Sequence, residues 1–382
     1  MRIAFYAPLK APDHPVPSGD RRLGALLMQA LRASGHDVQL VSRFRSFDGA
    51  GDAVRQARIG TVGRRMAARL VRRLQRSAAV PDAWFTYHVY HKAPDWLGPT
   101  VSRALAIPYI VAEASIAPRQ HDGPWAVGHD QARAAITAAD AVVFVNPVDV
   151  AAVMRARGEA GVTRMIRPFI DVAAFAGGMA SPPALRPEGP LRLVAVGMLR
   201  PGAKLASYRV LAAALARLPA GSWSLDIVGD GPARAEIDAL FGGFAIGQVR
   251  LRGAGSSAEV ADRLHAGDVF VWPAIEEAFG MALLEAQACG LPVVAGDGPG
   301  IANVVADGST GCLVPAGDAA AFAEAVARLL ADPALRARMG RAARAYVRTY
   351  HDIAAAAEEL DRVLAAVRDA APTTSASGSG KS

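Results

Sequence analysis

Short apolar runs recur along this chain, each followed by a stretch with helical spacing, and no other feature limits the possible folds as tightly. Arg2–Ala7, Asp37–Ser42, Ala83–Tyr87, Tyr109–Ala112, Ala141–Val145 and Thr163–Arg167 read as strands, and Arg21–Ala33 reads as a helix closed by Gly35. Apolar strands separated by helices pair in parallel, because a crossover helix must carry the chain back before the next strand begins. From Ala176 to Pro190 the pattern lapses into Pro, Gly and no periodicity, which marks a linker between domains. The alternation then restarts at Leu191–Gly197, Leu225–Gly229, Val249–Gly253, Val269–Pro273 and Pro292–Ala295. The expected architecture is α/β: two Rossmann-like domains, residues 1–175 and 191–345, facing each other across a cleft. A helix at about 346–369 is expected to pack back on the first domain, and the low-complexity tail 371–382 is expected to be disordered.

Composition narrows the functional class. The 382 residues suffice for two cores, with 52% apolar and 20% charged residues. A net charge of +7 favours an anionic partner. Cys289 and Cys312 are too few for a disulfide framework and sit in apolar or Gly-rich contexts, as small core residues do. Neither CxxC nor His-x-x-x-His spacing occurs, so no metal centre is expected. Met1–Tyr6 opens directly on a strand without the apolar segment of a signal peptide, and no apolar run reaches the roughly 18–20 residues that span a bilayer. A cytoplasmic protein is expected, soluble or peripheral at the inner face of the membrane.

In open α/β sheets ligands bind at the carboxyl ends of strands. The densest such segment runs from Pro273 to Val294. It carries Glu277 in the loop after a strand, then Phe279, Gly280 and Met281, then Glu285 on a helix that stops at Gly290. Gly280 allows close backbone approach, and the free N–H groups of the first helical turn can hold a phosphate or sugar oxygen. Glu285 falls near the apolar face, where a carboxylate needs donors such as ribose hydroxyls. Spacing alone leaves open that Glu277 caps the helix and Glu285 pairs with an arginine.

Glu277-x7-Glu285 enclosing Phe279-Gly280, followed by Ala286-x-x-x-Gly290-x-Pro292-Val-Val, resembles the donor motif of retaining glycosyltransferase family 4, whose members have the GT-B fold. Gly229-Asp-Gly231-Pro, Gly253, Gly298-Pro-Gly-Ile301, Asp307-Gly-Ser-Thr-Gly311 and Val314-Pro315 extend the likeness over about 191–345. The resemblance implies that Glu285 holds the ribose and Glu277 lies near the transferred sugar. It implies further that the Phe279–Met281 backbone meets sugar and phosphate, and that Gly253 lines the base. Lys204 falls on the family's diphosphate lysine. Met198 stands where the family has arginine, and Arg200 is the nearest replacement. Fixed cations there would stabilise the departing diphosphate, and no Asp-x-Asp occurs to hold a metal for that purpose.

The first half matches only in outline. Pro17-Ser-Gly19-Asp falls where the family has a glycine-rich loop that reaches towards the donor phosphates, which the resemblance implies for Gly19; only this one of the usual glycine pair is present, and the segment reads equally as a cap and turn. Glu113, after Pro108-Tyr-Ile-Val-Ala, stands where the family often has histidine; it suits a hydrogen bond to sugar, a proton acceptor, or a helix-end charge. His88 follows a strand in Tyr87-His-Val-Tyr-His91 and is a second candidate for the acceptor side. Residues 55–76 hold many arginines and no acid, with Val62, Met66, Leu70 and Leu74 at helical spacing. A helix of that kind can lie on an anionic membrane surface or simply pack on the sheet. Nucleic acid is disfavoured, since no aromatic residues interleave with the basic ones.

Together these features lead us to expect a metal-independent transferase without a resident cofactor. It would move a sugar with retention of configuration from a nucleotide diphosphate sugar, of UDP or GDP type, to a lipid-linked or saccharide acceptor. Sugar-nucleotide epimerisation or hydrolysis, and non-catalytic donor binding, are the alternatives. A Rossmann dehydrogenase is disfavoured because no Gly-x-Gly-x-x-Gly follows the first strand.

Overall fold

The computed structural model describes residues 1–16, 18–158, 160–177 and 189–370. Most of the expected linker (178–188), the expected tail (371–382) and Pro17 lie outside the described residues. In the first unit β1 (Arg2–Tyr6), α1 (Gly19–Ala33), β2 (Asp37–Ser42), α2 (Ala53–Gln75), β3 (Ala83–Val89), α3 (Gly98–Leu105), β4 (Tyr109–Ala114), α4 (Ala126–Thr137), β5 (Ala141–Phe144), α5 (Val150–Arg157) and β6 (Val162–Met165) follow in order. The strands form one parallel sheet in the order β2-β1-β3-β4-β5-β6.

The second unit holds β7 (Leu191–Val196), α6 (Ala203–Leu215), β8 (Trp223–Val228), α7 (Arg234–Phe241), β9 (Val249–Leu251), α8 (Ser257–Ala266), β10 (Val269–Trp272), α9 (Met281–Ala288), β11 (Val293–Gly296), β12 (Gly311–Val314), α10 (Ala319–Ala331) and α11 (Pro333–Tyr350). Its parallel sheet runs β12-β11-β10-β7-β8-β9. A last helix, α12 (Ile353–Ala370), returns to the first unit from Ala356.

Central strands such as β5 (Ala-Val-Val-Phe) and β10 (Val-Phe-Val-Trp) are buried at every position. Helices cover both faces of a crossover-connected sheet, so these strands carry continuous apolar runs rather than alternation. The strand missed in the sequence is β12, four residues opening on Gly311, too short and too glycine-bounded to stand out.

The units divide between Ile166 and Arg167, earlier than the expected boundary at 175. Ile170 and Phe175 explain the difference, since both are buried in the second unit's core, and Ile170 bridges to Asp352. Residues 346–350 belong to α11, so only the later helix joins the first unit. There Ser34 Oγ donates to the Ala357 carbonyl at 2.9 Å, and Arg164 meets Glu359 at 2.7 Å.

The helix α2 corrects one reading. Val62 is 46% exposed, and the buried stripe is Gln56, Gly60, Gly63, Ala67, Leu70 and Leu74. Trp96 selects that face: a Cβ on Gly60 or Gly63 would fall 2.7 or 2.5 Å from its side chain, so only glycine lets the helix approach the indole.

Candidate functional site

Each sheet reverses direction once. In the first, β2 lies on one side of β1 and β3 on the other; in the second, β8 and β10 flank β7. Loops leaving adjacent strands toward opposite sides open a crevice at that point. In the second unit the loops after β7 and β10 meet there.

Lys204 stands in the first turn of α6, after Gly202 in a left-handed conformation (φ 82°). Its ammonium pairs directly with the Glu277 carboxylate from the β10–α9 loop and lies 5.1 Å from the Trp272 ring centroid. Trp272 Nε1 donates to the same Glu277 oxygen at 3.2 Å. A lysine at a helix N-terminus opposes the helix dipole, so this placement works against the stability of α6. That placement sets the ammonium at the switch point of the sheet. Arg200 is exposed on the preceding loop and makes no ion pair with a carboxylate among the described residues.

The β10–α9 loop is held in an unusual shape. Ala274 and Glu276 have φ of 55° and 48°, and Gly280 (φ 62°) sets the start of α9. Ile275 N–H is fixed by Ser207 Oγ at 3.0 Å. From the other side Gly300 packs so closely that a Cβ would fall 2.6 Å from the Glu277 carbonyl and 2.4 Å from that of Ala278. Phe279 and Met281 are half-buried beside Gly280, while Glu285 is 2% exposed on α9. Gly253 (φ 80°), two residues past β9, bridges to Gly229, whose N–H donates to its carbonyl at 2.8 Å.

In the first unit the structure brings together Gly19, His88 and Glu113. Ser18 caps α1, accepting from Arg21 N–H at 3.2 Å, which starts the helix at Gly19 and leaves that glycine exposed. Asp20, beside it, places Oδ1 3.0 Å from His88 Nδ1 at the end of β3. Burial works to raise the Asp20 pKa, but the hydrogen bond and charge of His88 outweigh it and hold the carboxyl below its usual range.

Glu113, at the end of β4, accepts on Oε1 from the backbone N–H of Val145 and from that of Asn146 at 3.2 Å. Burial pushes its pKa up to about 7, against the opposing pull of those donors and of His88. His88 (φ 65°) and Glu113 (φ 58°), like Ala274 and Glu276, adopt backbone angles rare outside glycine. Such conformations cost about 1–3 kcal/mol each and gather at functional sites. Sequence reasoning gave no role to Asp20, Trp272 or Gly300: Asp20 and Gly300 lie inside motifs already quoted, in Pro17-Ser-Gly19-Asp and Gly298-Pro-Gly-Ile301, and Trp272 adjoins the segment from Pro273, but their partners are distant in sequence.

Comparison with solved structures places this arrangement in the GT-B fold. Sucrose-phosphate synthase from Thermosynechococcus elongatus is similar with a TM-score of 0.70 and 22% identity, covering 97% of this chain and 99% of its own. HepE from Anabaena, solved with UDP and glucose, gives 0.69 and 18% identity over 96% of this chain and 99% of its own.

Residues 182–346 match the family described as glycosyl transferases group 1, which bears out the likeness to glycosyltransferases over that region. D-Inositol 3-phosphate glycosyltransferase of Streptomyces avermitilis is 41% identical over 120 residues, 31% of this chain and 26% of that protein. Alpha-D-kanosaminyltransferase of Streptomyces kanamyceticus is 34% identical over 135 residues, 35% of each chain. The chain thus spans about a quarter to a third of the length of these curated relatives.

Proposed function

We propose that this protein transfers a sugar, with retention of configuration as in glycosyltransferase family 4, from a nucleotide diphosphate sugar to a lipid-linked or saccharide acceptor. The Lys204–Glu277 pair at the β7/β10 switch point carries the reading. In the free protein the carboxylate neutralises the lysine. When a diphosphate enters, Lys204 turns to it, Arg200 adds a second cation, and the charge that builds on the leaving group is met without a metal. The first-turn N–H groups of α9, opened by Gly280, suit the sugar and phosphate oxygens. Glu285 is assigned to the ribose and Gly253 to the base. In the first unit Gly19 is assigned to the donor phosphates, and His88 and Glu113 to the acceptor side and its proton. The similarly folded HepE of Anabaena, solved with UDP, supports a donor of that class.

Calorimetric titration with UDP, GDP and ADP tests the donor assignment. One diphosphate is expected to bind in preference, and Glu285→Gln, which keeps the shape of the side chain, should weaken it by tenfold or more (about 1.4 kcal/mol). Failure of all three to bind would overturn the reading.

Membrane attachment of the acceptor side rests on α2. Arg58, Arg65, Arg69, Arg72 and Arg76 are exposed along it and, among the described residues, form no ion pair. No described helix is long and apolar enough to cross a membrane. A basic helix lying on an anionic surface gains about 1 kcal/mol per arginine. Replacing Arg65, Arg69, Arg72 and Arg73 by glutamine should therefore weaken co-sedimentation with phosphatidylglycerol vesicles on the order of 100-fold or more. Equal binding by the variant would remove the membrane from the proposal.

A further inference from the structure

Away from both candidate sites, His121, His129 and Asp130 each offer a ligand atom, and these atoms all lie within 4.8 Å of one another. We infer that they form a binding site for a divalent transition metal of the zinc type, with water completing the shell. Two imidazoles and one carboxylate are a donor set suited to such an ion, and three protein ligands leave an open position.

His129, on α4, is 4% exposed, while His121 and Asp130 stand at the surface. The ring of His121 lies 5.9 Å from that of His129 between centroids, with His121 Nδ1 in turn 3.6 Å from Asp130 Oδ1.

The consequence is local order. His121 ends the short turn Pro118–Gln120 in the segment that follows β4, whereas His129 and Asp130 belong to α4. An ion shared by the three would clamp that segment to the helix, and with it the connection leaving the strand that bears Glu113. Neither ligand residue on α4 stood out in the sequence, because the seven residues between His121 and His129 match no zinc-finger spacing.

The test uses the full chain, stripped of metal and titrated with Zn²⁺ against a chromophoric chelator at pH 7.5. One equivalent is expected to bind, and Co²⁺ in its place should show the intense visible bands of a four-coordinate site. His121→Ala lies on the surface and should leave the metal-free melting temperature unchanged. It should weaken Zn²⁺ by more than the roughly 10–100-fold that loss of an outer-sphere partner costs. Asp130→Asn should weaken it in the same direction. Absence of a stoichiometric Zn²⁺ site in the wild-type chain, or equal affinity in His121→Ala, would overturn the inference.

Discussion

A Lys204→Ala variant is expected to lose on the order of 10²–10³ in kcat/KM for sugar transfer, about 3–4 kcal/mol of transition-state stabilisation, while staying folded. Two effects add. The cation that meets the departing diphosphate is gone, and Glu277 loses the ammonium that neutralised it, keeping only the Trp272 N–H. A bare carboxylate then faces an anionic donor. The structural cost should be small. The two side chains are 26% and 19% exposed, which limits the energy of the pair through solvent screening, and removing a cation from the first turn of α6 relieves an unfavourable dipole contact. Steady-state kinetics beside a thermal melt decide the matter: an unchanged kcat/KM would take Lys204 out of the chemistry, and a collapsed melt would make its role structural.

Glu113→Gln should change both stability and activity, with opposite signs. The Glu113 carboxyl has a folded pKa of about 7 against an ordinary value of 4.5. Between those values the folded chain holds a proton that the unfolded chain has released, so stability falls as pH rises through that window. At about 1.4 kcal/mol per unit the total is about 3.5 kcal/mol, absent at pH 4 and fully felt above pH 7. Glutamine keeps an oxygen for the Val145 and Asn146 donors but cannot ionise. The variant should therefore melt like wild type near pH 4.5 and several degrees higher at pH 8. If Glu113 accepts the acceptor's proton, transfer should drop 10²-fold or more, and a limb near pH 7 should vanish from the kcat/KM profile while donor affinity is spared. A variant that melts identically to wild type at both pH values would mean that Glu113 is not held near neutrality.

What could be read without the fold follows from physical locality. Central strands buried on both faces must be apolar along their whole length, so β1, β3, β5, β7 and β10 are visible as runs, and the two parallel sheets follow from the helices between them. The loop from Glu277 to Glu285 was equally visible, because strand end, glycine, helix and both carboxylates sit on one continuous segment.

Contacts between distant segments were not visible. The pairing of Lys204 with Glu277 depends on β10 lying next to β7, which strand order decides. The meeting of Asp20 with His88 depends in the same way on β3 lying next to β1. The boundary at Ile166 depends on which core receives Ile170 and Phe175, and two equally apolar cores cannot be told apart by hydropathy. The left-handed backbone at His88, Glu113, Ala274 and Glu276 was likewise hidden, since none of these residues prefers it and only the surrounding hydrogen bonds and packing hold it there. Sequence alone determined which elements form, because propensity and burial act on neighbours along the chain; tertiary structure decided which side chains meet, because charge pairing and desolvation act through space.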